Sequence, residues 1–537
     1  MNKTLIQKKL LQYFDKELIS QINLRTINDD KDLISSIFEQ IHDKETRKKY
    51  AQFFTHKELV EFILSHIPIK ENNTILDPAC GAGAFIIEAI DKVGINNVYG
   101  IDIDKKALDL CDINVAYKYD HKCQNLKHAN TLKSTLLSLF PKIAKNGGFD
   151  IIVGNPPFQN LLKGIDYDQK DLIYSNVLSR IANSATLMVA KGYEYLKQGG
   201  YLGFVLPKNI FRVDSFKVLR DFLLDNTKII SIYDLDHYFK DVRGDQIILI
   251  FQKKRLTLKD IKTNKVKIYV FKKSNPFLKP YNYEIPQNLF KKYSFFPVFY
   301  HKDVFSLADK LLNFPTTLDK VCSGQIFRGI GLSTSSNLIS TQKKKNYSLV
   351  YRGDSIKRFG IKYPLFIDNN KLSLLPINRV KRLQQNKIIL QNLCSKEGGI
   401  FATLSGSKEL TLDTVTNVIP ANISLKYILG VLNSDIANFF IILVIFLNSN
   451  FTMHTDREYI GKIPIVVPNK AQEDKVSTIV DSLIEMSDKY SREFFLLYSK
   501  LNKALYEIYN LSSTETDTIE RLLREVMSKK HYGTTNE

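Results

Sequence analysis

Between residues 73 and 254, short runs of apolar residues alternate with longer stretches in which apolar residues recur every three or four positions. The short runs predict buried strands, and the longer periodic stretches predict helices that cover them. This alternation is typical of an α/β domain with a largely parallel sheet. The predicted strands cover residues 74–79, 98–102, 149–155, 201–207, 229–235 and 246–252, and the predicted helices cover residues 84–93, 105–117, 175–197 and 215–224.

The segments on either side of this block have different patterns. The first 48 residues are charged and helical in character, and they are too few to form a second enzyme domain. After residue 285, irregular strands and turns replace the alternation, which predicts a separate α+β domain. From residue 470 onwards the helical period returns and predicts a packed helical hairpin or a coiled-coil-like element. We therefore divide the chain into segments 1–48, 49–285, 286–469 and 470–537.

The composition indicates a folded protein with a polyanionic partner. Hydrophobic residues make up 44% and charged residues 25% of the 537 residues, which are values of globular chains rather than disordered ones. The formal net charge of +20 favours nucleic acid over a membrane surface. Ten basic residues and one acid fall within residues 253–279, and this run fits a solvated linker as well as a stripe that contacts DNA.

The cysteines and the hydrophobic segments predict a location in the reducing cytoplasm. The five cysteines are scattered, with no CxxC pair, so we expect neither a metal site nor a disulfide framework. No signal peptide is evident at the N-terminus. The most apolar stretch, residues 439–447, is shorter than the roughly 20 residues that a membrane span needs, and we interpret it as a buried helix or strand.

The first chemical signal is the segment DPACGAGAF, which starts at Asp77, directly after a predicted strand. Gly81 and Gly83 allow a tight turn into the next helix and a close approach of the backbone to a ligand. Asp102 ends the second strand, where a carboxylate can accept from both hydroxyls of a ribose. The GxGxxG phosphate fingerprint is missing, which favours an adenosyl ligand without phosphates, and S-adenosylmethionine fits.

The second signal is the sequence Asn155-Pro156-Pro157-Phe158 at the end of a strand. Two prolines make a stiff turn that presents carbonyls rather than N–H groups. The Asn155 amide oxygen and the Pro156 carbonyl form an acceptor pair suited to an amino group, and Phe158 can stack on a planar ring. Such a turn can also be only a rigid loop. Its position at the carboxyl end of a strand, where open α/β sheets bind ligands, favours a site.

With these motifs in this order, the chain resembles the γ-type N6-adenine DNA methyltransferases, and most closely the TaqI-like enzymes. The resemblance covers about residues 49–254 and, more loosely, residues 321–468. It implies a Rossmann-like class I S-adenosylmethionine-dependent methyltransferase core with a mixed seven-stranded sheet, followed by an α+β target recognition domain. It also implies cofactor-binding residues, namely Thr55 on the methionine part, Asp77, Gly81 and Gly83 around it, Asp102 on the ribose, and Asn130 in place of an aspartate that binds the cofactor's adenine.

The same resemblance implies how the substrate is held. Asn155, Pro156 and Phe158 would grip an adenine flipped out of double-stranded DNA, with Phe216, or alternatively Phe211, as the second aromatic face. Arg328 and Arg352 of the C-terminal region would contact DNA. The implied role is modification within a restriction-modification system, which is compatible with a separate cognate endonuclease. We also expect a monomer that has no membrane contact.

Other functions use similar chemistry. Related Asn-Pro-Pro turns occur in enzymes that methylate RNA or the glutamine side chain of a protein, and cytosine-N4 methylation is chemically possible with the same turn. A DNA-binding subunit of a restriction complex is a further alternative. The net charge and the long C-terminal region favour DNA, and no nuclease motif supports a combined restriction and methylation enzyme.

Overall fold

The computed structural model of the protein describes Lys8 and residues 55–162, 166–168, 171–178, 182–236, 238, 244–271, 280–293, 295–333 and 336–528. The chain divides into two compact units, Met1–Val298 and Phe299–Glu537. The sequence analysis placed the boundary between the catalytic and recognition domains earlier, after residue 285, and the first unit extends to Val298. The predicted N-terminal segment lies outside the described residues except for Lys8.

A nine-stranded sheet forms the centre of the first unit, in the order β3-β2-β1-β4-β5-β7-β6-β8-β9. The strands from β3 to β5 pair in parallel, and β7 runs antiparallel between β5 and β6. These seven strands are the mixed sheet that the resemblance implied, and β8 and β9 extend it at one edge. The strands are β1 Ile75–Asp77, β2 Val98–Asp102, β3 Leu126–His128, β4 Phe149–Gly154, β5 Leu196–Pro207, β6 Lys228–Asp234, β7 Gln246–Gln252, β8 Lys265–Val270 and β9 Tyr281–Pro286.

Helices cover this sheet and bury its apolar side chains. A helix over Lys57–Ser65 packs against β5, because Gly203 leaves room there for Ile63. The Asp104 side chain accepts hydrogen bonds from two backbone N–H groups and starts the helix after β2. The helices of this unit are α1 Lys57–Ser65, α2 Ala84–Val93, α3 Lys105–Tyr119, α4 Leu136–Leu139, α5 Pro141–Lys145, α6 Leu172–Ser175, α7 Ser184–Tyr195, α8 Lys217–Asn226 and α9 Leu258–Thr263.

One sequence prediction for this unit was wrong. The helix predicted over residues 175–197 is shorter, because Asn183 caps α7 and the chain enters β5 at Leu196. Gly199, at a φ of 86°, lies within β5 where the pairing of this strand with β4 shifts its register. In the described part of the basic run at 253–279, Leu258–Thr263 form α9 and Lys265–Val270 form β8, and a contact of this run with DNA stays a prediction. Strand β8 buries alternate residues, beginning with Val266, and exposes Lys265 and Lys267.

The second unit combines small sheets with helices. One four-stranded sheet has the order β10-β20-β16-β18, and another has the order β11-β15-β12-β19. Two-stranded pairs join β13 to β14 and β17 to β21. The strands are β10 Ile326–Arg328, β11 Ile339–Ser340, β12 Tyr347–Tyr351, β13 Ile356–Lys357, β14 Gly360–Ile361, β15 Leu365–Asp368, β16 Lys387–Gln391, β17 Leu393–Cys394, β18 Ala402–Ser405, β19 Leu410–Thr411, β20 Val415–Val418 and β21 Met453–His454.

The C-terminal helices belong to this same unit rather than to a separate segment. Gly430 lies where a Cβ atom would be 3.1 Å from Val476 and Val480 and 3.3 Å from Leu501, so three helices pack closely there. The helices of the unit are α10 Val304–Leu312, α11 Leu318–Val321, α12 Ile377–Leu383, α13 Leu425–Asn433, α14 Asp435–Phe439, α15 Arg457–Ile460, α16 Lys470–Glu485, α17 Arg492–Ile508 and α18 Ser513–Val526.

The most apolar stretch of the sequence is buried, as predicted. It continues from α14 into a π-helical segment over Phe440–Ile445, whose side chains are all buried. Among the described residues, no single helix is long and apolar enough to cross a membrane. The pair Leu425–Asn433 and Asp435–Ile445 reaches that length and composition only together, with a bend of 53° between them.

Candidate active site at the carboxyl edge of the sheet

The glycine turn after β1 is built around a buried carboxylate. Asp77 is only 2% exposed, and its Oδ1 accepts a hydrogen bond from the Ala79 backbone N–H at 3.0 Å. Gly154 ends β4 beside it, where a Cβ atom would lie 2.8 Å from Asp77 Oδ1. The absence of a side chain at Gly154 therefore lets the ends of β1 and β4 approach each other around Asp77.

A second buried carboxylate holds the turn from β2. Asp102 Oδ2 accepts a hydrogen bond from the Gly81 N–H at 2.7 Å, and Oδ1 accepts one from the Asp104 N–H at 2.8 Å. Gly81 and Gly83 have φ values of 52° and 95°, which glycine adopts more easily than other residues. The two carboxylates and the two glycines that the sequence analysis selected therefore meet in one turn.

Burial determines the protonation of these two carboxylates. It raises the pKa of Asp77 to about 8, an effect that the nearby Asp102 increases and the Ala79 N–H opposes. Burial also raises the pKa of Asp102 to about 6, against the hydrogen bonds from Asp104 and Gly81. Two buried carboxylates whose charged forms are disfavoured suit a ligand that brings hydroxyl donors or positive charge. S-adenosylmethionine, which has a ribose, an ammonium and a sulfonium, fits this donor set.

The two glycines of the turn have different surroundings. A Cβ atom at Gly83 would lie 2.6 Å from the Cys111 Sγ, so this position packs directly against α3. A Cβ atom at Gly81 would have no heavy atom of the protein within 4 Å. The open side of the turn is therefore at Gly81, and a ligand can approach the backbone there.

The Asn-Pro-Pro-Phe turn follows β4 at the same edge of the sheet. The Asn155 Nδ2 donates a hydrogen bond to the Thr55 Oγ1 at 3.1 Å. Ser184, at the start of α7, donates to the Pro157 carbonyl and accepts from the Gln159 N–H, which holds the turn from its other end. Within the described part of the chain, neither the Asn155 Oδ1 nor the Pro156 carbonyl accepts a hydrogen bond. The turn therefore presents two available acceptors on a fixed backbone.

Two aromatic residues border this turn. Phe158 is half-buried and packs against the core of the first unit. Tyr238, between β6 and β7, packs on the same core, and its ring meets that of His56 edge to face with centroids 6.0 Å apart. Tyr238 thus contacts the residue that follows Thr55 in the chain, and the Thr55 hydroxyl accepts a hydrogen bond from Asn155. The sequence analysis did not select Tyr238 as a candidate residue. The only signal for it in the sequence is its position in the connection between β6 and β7.

The structure places Asn130 next to the glycine turn. It follows β3, and its neighbour Thr131 donates to the Pro78 carbonyl at 2.6 Å. The Asn130 Oδ1 accepts from the Leu132 N–H at 2.9 Å, and the Nδ2 donates to the Asp166 carbonyl at 3.2 Å. Asn130 therefore caps its own turn, and its contact with a cofactor stays a prediction.

The two candidates for the second aromatic face differ in their burial. Phe211 is fully buried and stacks on Phe296, with ring centroids 5.5 Å apart, so it is a core residue. Phe216 is half-buried at the start of α8. The structure thus removes Phe211 from consideration, and Phe216 stays a prediction.

The two arginines predicted to contact DNA belong to the second unit. Arg328 ends β10 and forms an ion pair with Asp456 at 2.6 Å. Arg352 follows β12, and its Nε lies 2.5 Å from the Asp354 Oδ1. Both side chains are more than a third exposed.

The strand order, the glycine turn and the Asn-Pro-Pro-Phe turn together define a class I S-adenosylmethionine-dependent methyltransferase. A model of the N-6 DNA methylase family matches residues 29–295, and a model of the TaqI-like C-terminal specificity domain matches residues 348–465. The chain belongs to the N-6 DNA methylase family and has a TaqI-like specificity domain. It is therefore an adenine-specific DNA methyltransferase of the restriction-modification type.

Similar proteins support this assignment. The type II methyltransferase M.VspI of Vibrio sp. strain 343 is 26% identical over 340 residues, which are 61% of this chain and 76% of that enzyme. A putative type II restriction enzyme and methyltransferase of Methanocaldococcus jannaschii, RM.MjaORFECS2P, is 24% identical over 412 residues, which are 72% of this chain but only 33% of that protein.

A solved structure shares the fold over most of the chain. The type IIL restriction-modification enzyme MmeI, solved in complex with DNA, superimposes with a TM-score of 0.61 and 13% identity. The match covers 92% of this chain and 81% of the MmeI chain. At this level of identity the likeness concerns the fold alone.

Proposed function

We propose that Asn155 and Pro156 hold the adenine amino group that the enzyme methylates, and that the target is one adenine within a specific sequence of double-stranded DNA. The observation that carries this proposal is the pair of available acceptors, Asn155 Oδ1 and the Pro156 carbonyl. An amino group has two hydrogens, and the pair supplies one acceptor for each of them. Thr55 supports this arrangement because it accepts from the Asn155 Nδ2 and leaves the Oδ1 available.

The residues of the glycine turn would hold the cofactor. Asp102 would accept from the ribose hydroxyls, the open side of Gly81 would admit the ligand, and Asp77 would face its positive charge. When bound, S-adenosylmethionine supplies a methyl group attached to a positively charged sulfur. Asn130 is our candidate for the adenine end of the cofactor, where its Oδ1 has a second lone pair besides the one that the Leu132 N–H uses.

The acceptor pair addresses the weakness of the amine as a nucleophile. The lone pair of an exocyclic adenine nitrogen is delocalised into the ring. Acceptors at Asn155 and Pro156 draw the two hydrogens toward tetrahedral geometry, so the lone pair becomes localised on nitrogen. This is catalysis by positioning and by preorganised dipoles, and it needs no ionisable base. Methylation at cytosine C5 would instead need a cysteine nucleophile, and Pro157 stands where such a thiol is expected.

The adenine must leave the duplex to reach this site. Flipping a base costs a few kcal/mol, which stacking on aromatic rings offsets. We assign one stacking face to Phe158 and propose Phe216 for the other. We also propose that the protein acts as a monomer in the cytoplasm, as the modification enzyme beside a separate endonuclease, and that Arg352 contacts DNA.

The test is transfer of a labelled methyl group from S-adenosylmethionine to unmethylated duplex DNA, with RNA and protein as parallel acceptors, followed by nucleoside analysis. We expect N6-methyladenine in DNA at one sequence. Label in RNA or protein alone would contradict the proposed substrate, and label in cytosine would contradict the proposed base.

The variant Asn155→Ala tests the acceptor pair. We expect its turnover to fall by about 10²–10³-fold, the loss seen when one preorganised hydrogen-bonding group is removed from a transition state. Its affinity for S-adenosylmethionine should stay close to that of the wild type, because Asn155 binds the amine and not the cofactor. Wild-type turnover in this variant would overturn the assignment.

A further inference from the structure

The side chain of Arg328 is held in one orientation although it is 43% exposed. Its Nε donates to the Asp456 Oδ1 at 2.7 Å, and its Nη2 donates to the Asp456 Oδ2 at 2.6 Å. Two parallel hydrogen bonds of this kind fix both the distance and the plane of a guanidinium. Asp456 thus occupies one edge of Arg328 and leaves the edge that carries Nη1 pointing away from it.

Asp456 is itself held by a buried amide. The Asn392 Nδ2 donates to the Asp456 Oδ1 at 2.9 Å, and Asn392 is only 2% exposed. The same Nδ2 donates to the Thr416 Oγ1 at 2.9 Å, and the Asn392 carbonyl accepts from the Thr455 N–H at 2.8 Å. The orientation of the exposed ion pair is therefore set from inside the unit, so little side-chain entropy is left to lose on binding.

The exposed pair retains unused hydrogen-bonding groups. Among the described residues, no hydrogen bond uses the Arg328 Nη1. The His454 Nδ1 lies 3.3 Å from both the Arg328 Nη2 and the Asn392 Oδ1. When His454 donates to Asn392, the second Nη2 hydrogen is also available. The Asp456 Oδ2 accepts only from Arg328 within the described chain, so one of its lone pairs remains.

We propose that Arg328 and Asp456 together read one G·C pair in the major groove of the DNA target. The inference rests on the proposed function, since it takes duplex DNA as the substrate. The pair presents two donors, Nη1 and Nη2, followed by one acceptor, Oδ2. A G·C pair presents the complement in its major groove, namely the N7 and O6 acceptors of guanine and the N4 donor of cytosine.

The Asp456 carboxylate favours a base pair over a phosphate as the partner of Arg328. Its free lone pair can accept from a cytosine amino group, whereas a phosphate offers it no hydrogen. Phosphate contacts also need no fixed orientation of the side chain, and here the orientation is fixed by Asn392. The geometry thus favours a base edge.

Other arginines lie near Arg328 and can contact the DNA backbone. The Arg379 Nη1 donates to the Arg328 carbonyl at 2.9 Å, and the Arg382 guanidinium lies 3.6 Å above the centroid of the Phe327 ring. The positive charges of Arg379 and Arg457 lie close enough to Arg382 to add to the effect of burial, which lowers its pKa. A groove of about 890 Å³, lined by Phe327, Asp456 and Arg457 among others, runs beside this cluster.

Arg457 provides a matched control. Its Nε and Nη2 also bind an aspartate, Asp319, at 2.6 and 3.0 Å, and it belongs to the same charged surface. Within the described part of the chain, no buried amide donates to the Asp319 carboxylate, whereas Asn392 donates to that of Asp456. We therefore expect Arg457 to contact phosphate and to have no influence on which base is read.

The experiment compares the full-length wild type with Arg328→Ala, Asp456→Asn and Arg457→Ala. In the first assay, each protein selects the duplexes that it binds from a random library. In the second assay, each protein is expressed in a bacterial host that lacks adenine methylation of its own, and the host DNA is sequenced for N6-methyladenine. Thermal unfolding of each variant checks that it folds. We expect one G·C position of the wild-type site to be lost in Arg328→Ala and Asp456→Asn, and the whole site to be kept in Arg457→Ala.

A modified base then tests the contact directly. Replacing the guanine at that position by 7-deazaguanine removes the N7 acceptor. We expect this to weaken wild-type binding by about 5- to 150-fold, the range of discrimination of a bidentate arginine contact. Binding by Arg328→Ala should not change with the same replacement, an insensitivity that a merely structural role for Arg328 would not produce.

The outcomes separate this inference from the proposed function. The wild type could methylate one sequence while Arg328→Ala lowers methylation without changing the base preference at any position of that sequence. The inference would then be wrong, and the proposed function would stand. If no adenine is methylated but Arg328→Ala still loses a G·C position in the selected duplexes, the inference stands and the proposed function is wrong. Loss of a base position in Arg457→Ala instead of Arg328→Ala would also overturn the inference.

Discussion

At the scale of single residues, the site depends on polar atoms that are buried or held by a neighbour. Thr55 is predicted to contact the cofactor, and in the structure its hydroxyl also accepts a hydrogen bond from the Asn155 amide. Thr55 is 5% exposed, so this contact is protected from water. Thr55 therefore orients the amide of Asn155, and no sequence pattern indicates this contact between residues that are 100 positions apart.

The role of Thr55 can be tested with a pair of variants. Thr55→Val keeps the shape of the side chain but removes the acceptor for the Asn155 Nδ2, so we expect kcat to fall by about tenfold, the effect of losing one hydrogen bond of about 1.4 kcal/mol. Thr55→Ser retains the hydroxyl and should restore most of the rate. A change in the Kd of S-adenosylmethionine with an unchanged kcat would show that Thr55 acts on the cofactor alone.

The buried carboxyl of Asp77 should make stability depend on pH. Its pKa in the folded protein is about 8, against an ordinary value of 3.8, so the folded state binds this proton more tightly than the unfolded state. The free energy of unfolding of the ligand-free protein should therefore fall as the pH rises from about 4 to about 8, by up to about 1.4 kcal/mol per pH unit.

Asp77→Asn removes this titrating group. We expect the free energy of unfolding of the variant to fall less steeply than that of the wild type as the pH rises above 6. Asp102 contributes less in this range, because its pKa is about 6. Urea unfolding at pH 5, 6, 7 and 8 measures the difference. Parallel curves for wild type and variant across this range would show that Asp77 is not a buried protonated group.

At the scale of elements, the glycine turn shows how one short segment serves both the fold and the site. Gly83 packs against the Cys111 side chain of α3, whereas Gly81 has open space on its free side. Both residues have positive φ values, so a side chain at either position strains the backbone. Only a side chain at Gly83 would also overlap with the core.

These two glycines should therefore differ in their effects. Gly81→Ala should cost about 1–2 kcal/mol of stability from backbone strain and weaken S-adenosylmethionine binding. Gly83→Ala should cost about 1–3 kcal/mol more, because its Cβ would overlap with Cys111. The double variant Gly83→Ala/Cys111→Ala should recover part of that loss. Chemical denaturation and titration calorimetry measure both effects, and equal stabilities for the two single variants would contradict this difference.

The sequence predicted most strands of the first unit but not all of its boundaries. The apolar signal is strong in β7, whose first six residues are all buried. It is weak in β3, where no residue is fully buried, and in β8, where exposed lysines interrupt the buried residues. These strands are defined by pairing with β2 and β6 rather than by their own composition.

At the scale of the whole molecule, the excess of positive charge fits the proposed substrate. The formal net charge is +20, and a group of arginines is clustered on the second unit around Arg328. Contacts to phosphates release counterions, so binding that depends on them weakens as salt is added.

The affinity for duplex DNA should therefore depend steeply on salt. For about 6–10 phosphate contacts we expect the Kd to rise by about 10³–10⁵-fold between 50 and 200 mM salt. Arg457→Ala should reduce the slope of log Kd against log salt by about one contact. Fluorescence anisotropy with a labelled duplex measures the slope, and a Kd that is independent of salt would exclude binding through phosphates.

The division into domains was only partly predictable. The change from βα alternation to irregular strands indicated two parts, and the structure divides the chain after Val298. The sequence predicted the C-terminal helices as a separate segment, because their apolar residues recur with a helical period that does not depend on the preceding strands. They belong to the second unit since those positions pack on α13, as the close approach at Gly430 requires.

The sequence by itself determined the α/β class, the order of the two motifs and the selection of Gly81, Asp102 and Asn155 as candidate site residues, because periodicity and short motifs are local properties of a chain. Only the tertiary structure decided which distant residues meet. It brought Thr55 into contact with Asn155. It placed Phe211 in the core, which excludes this residue from the base-binding site. It also held Arg328 through Asp456, which is bound in turn by Asn392. Contacts between residues that are far apart in the chain depend on how strands pair and helices pack, and no local pattern records them.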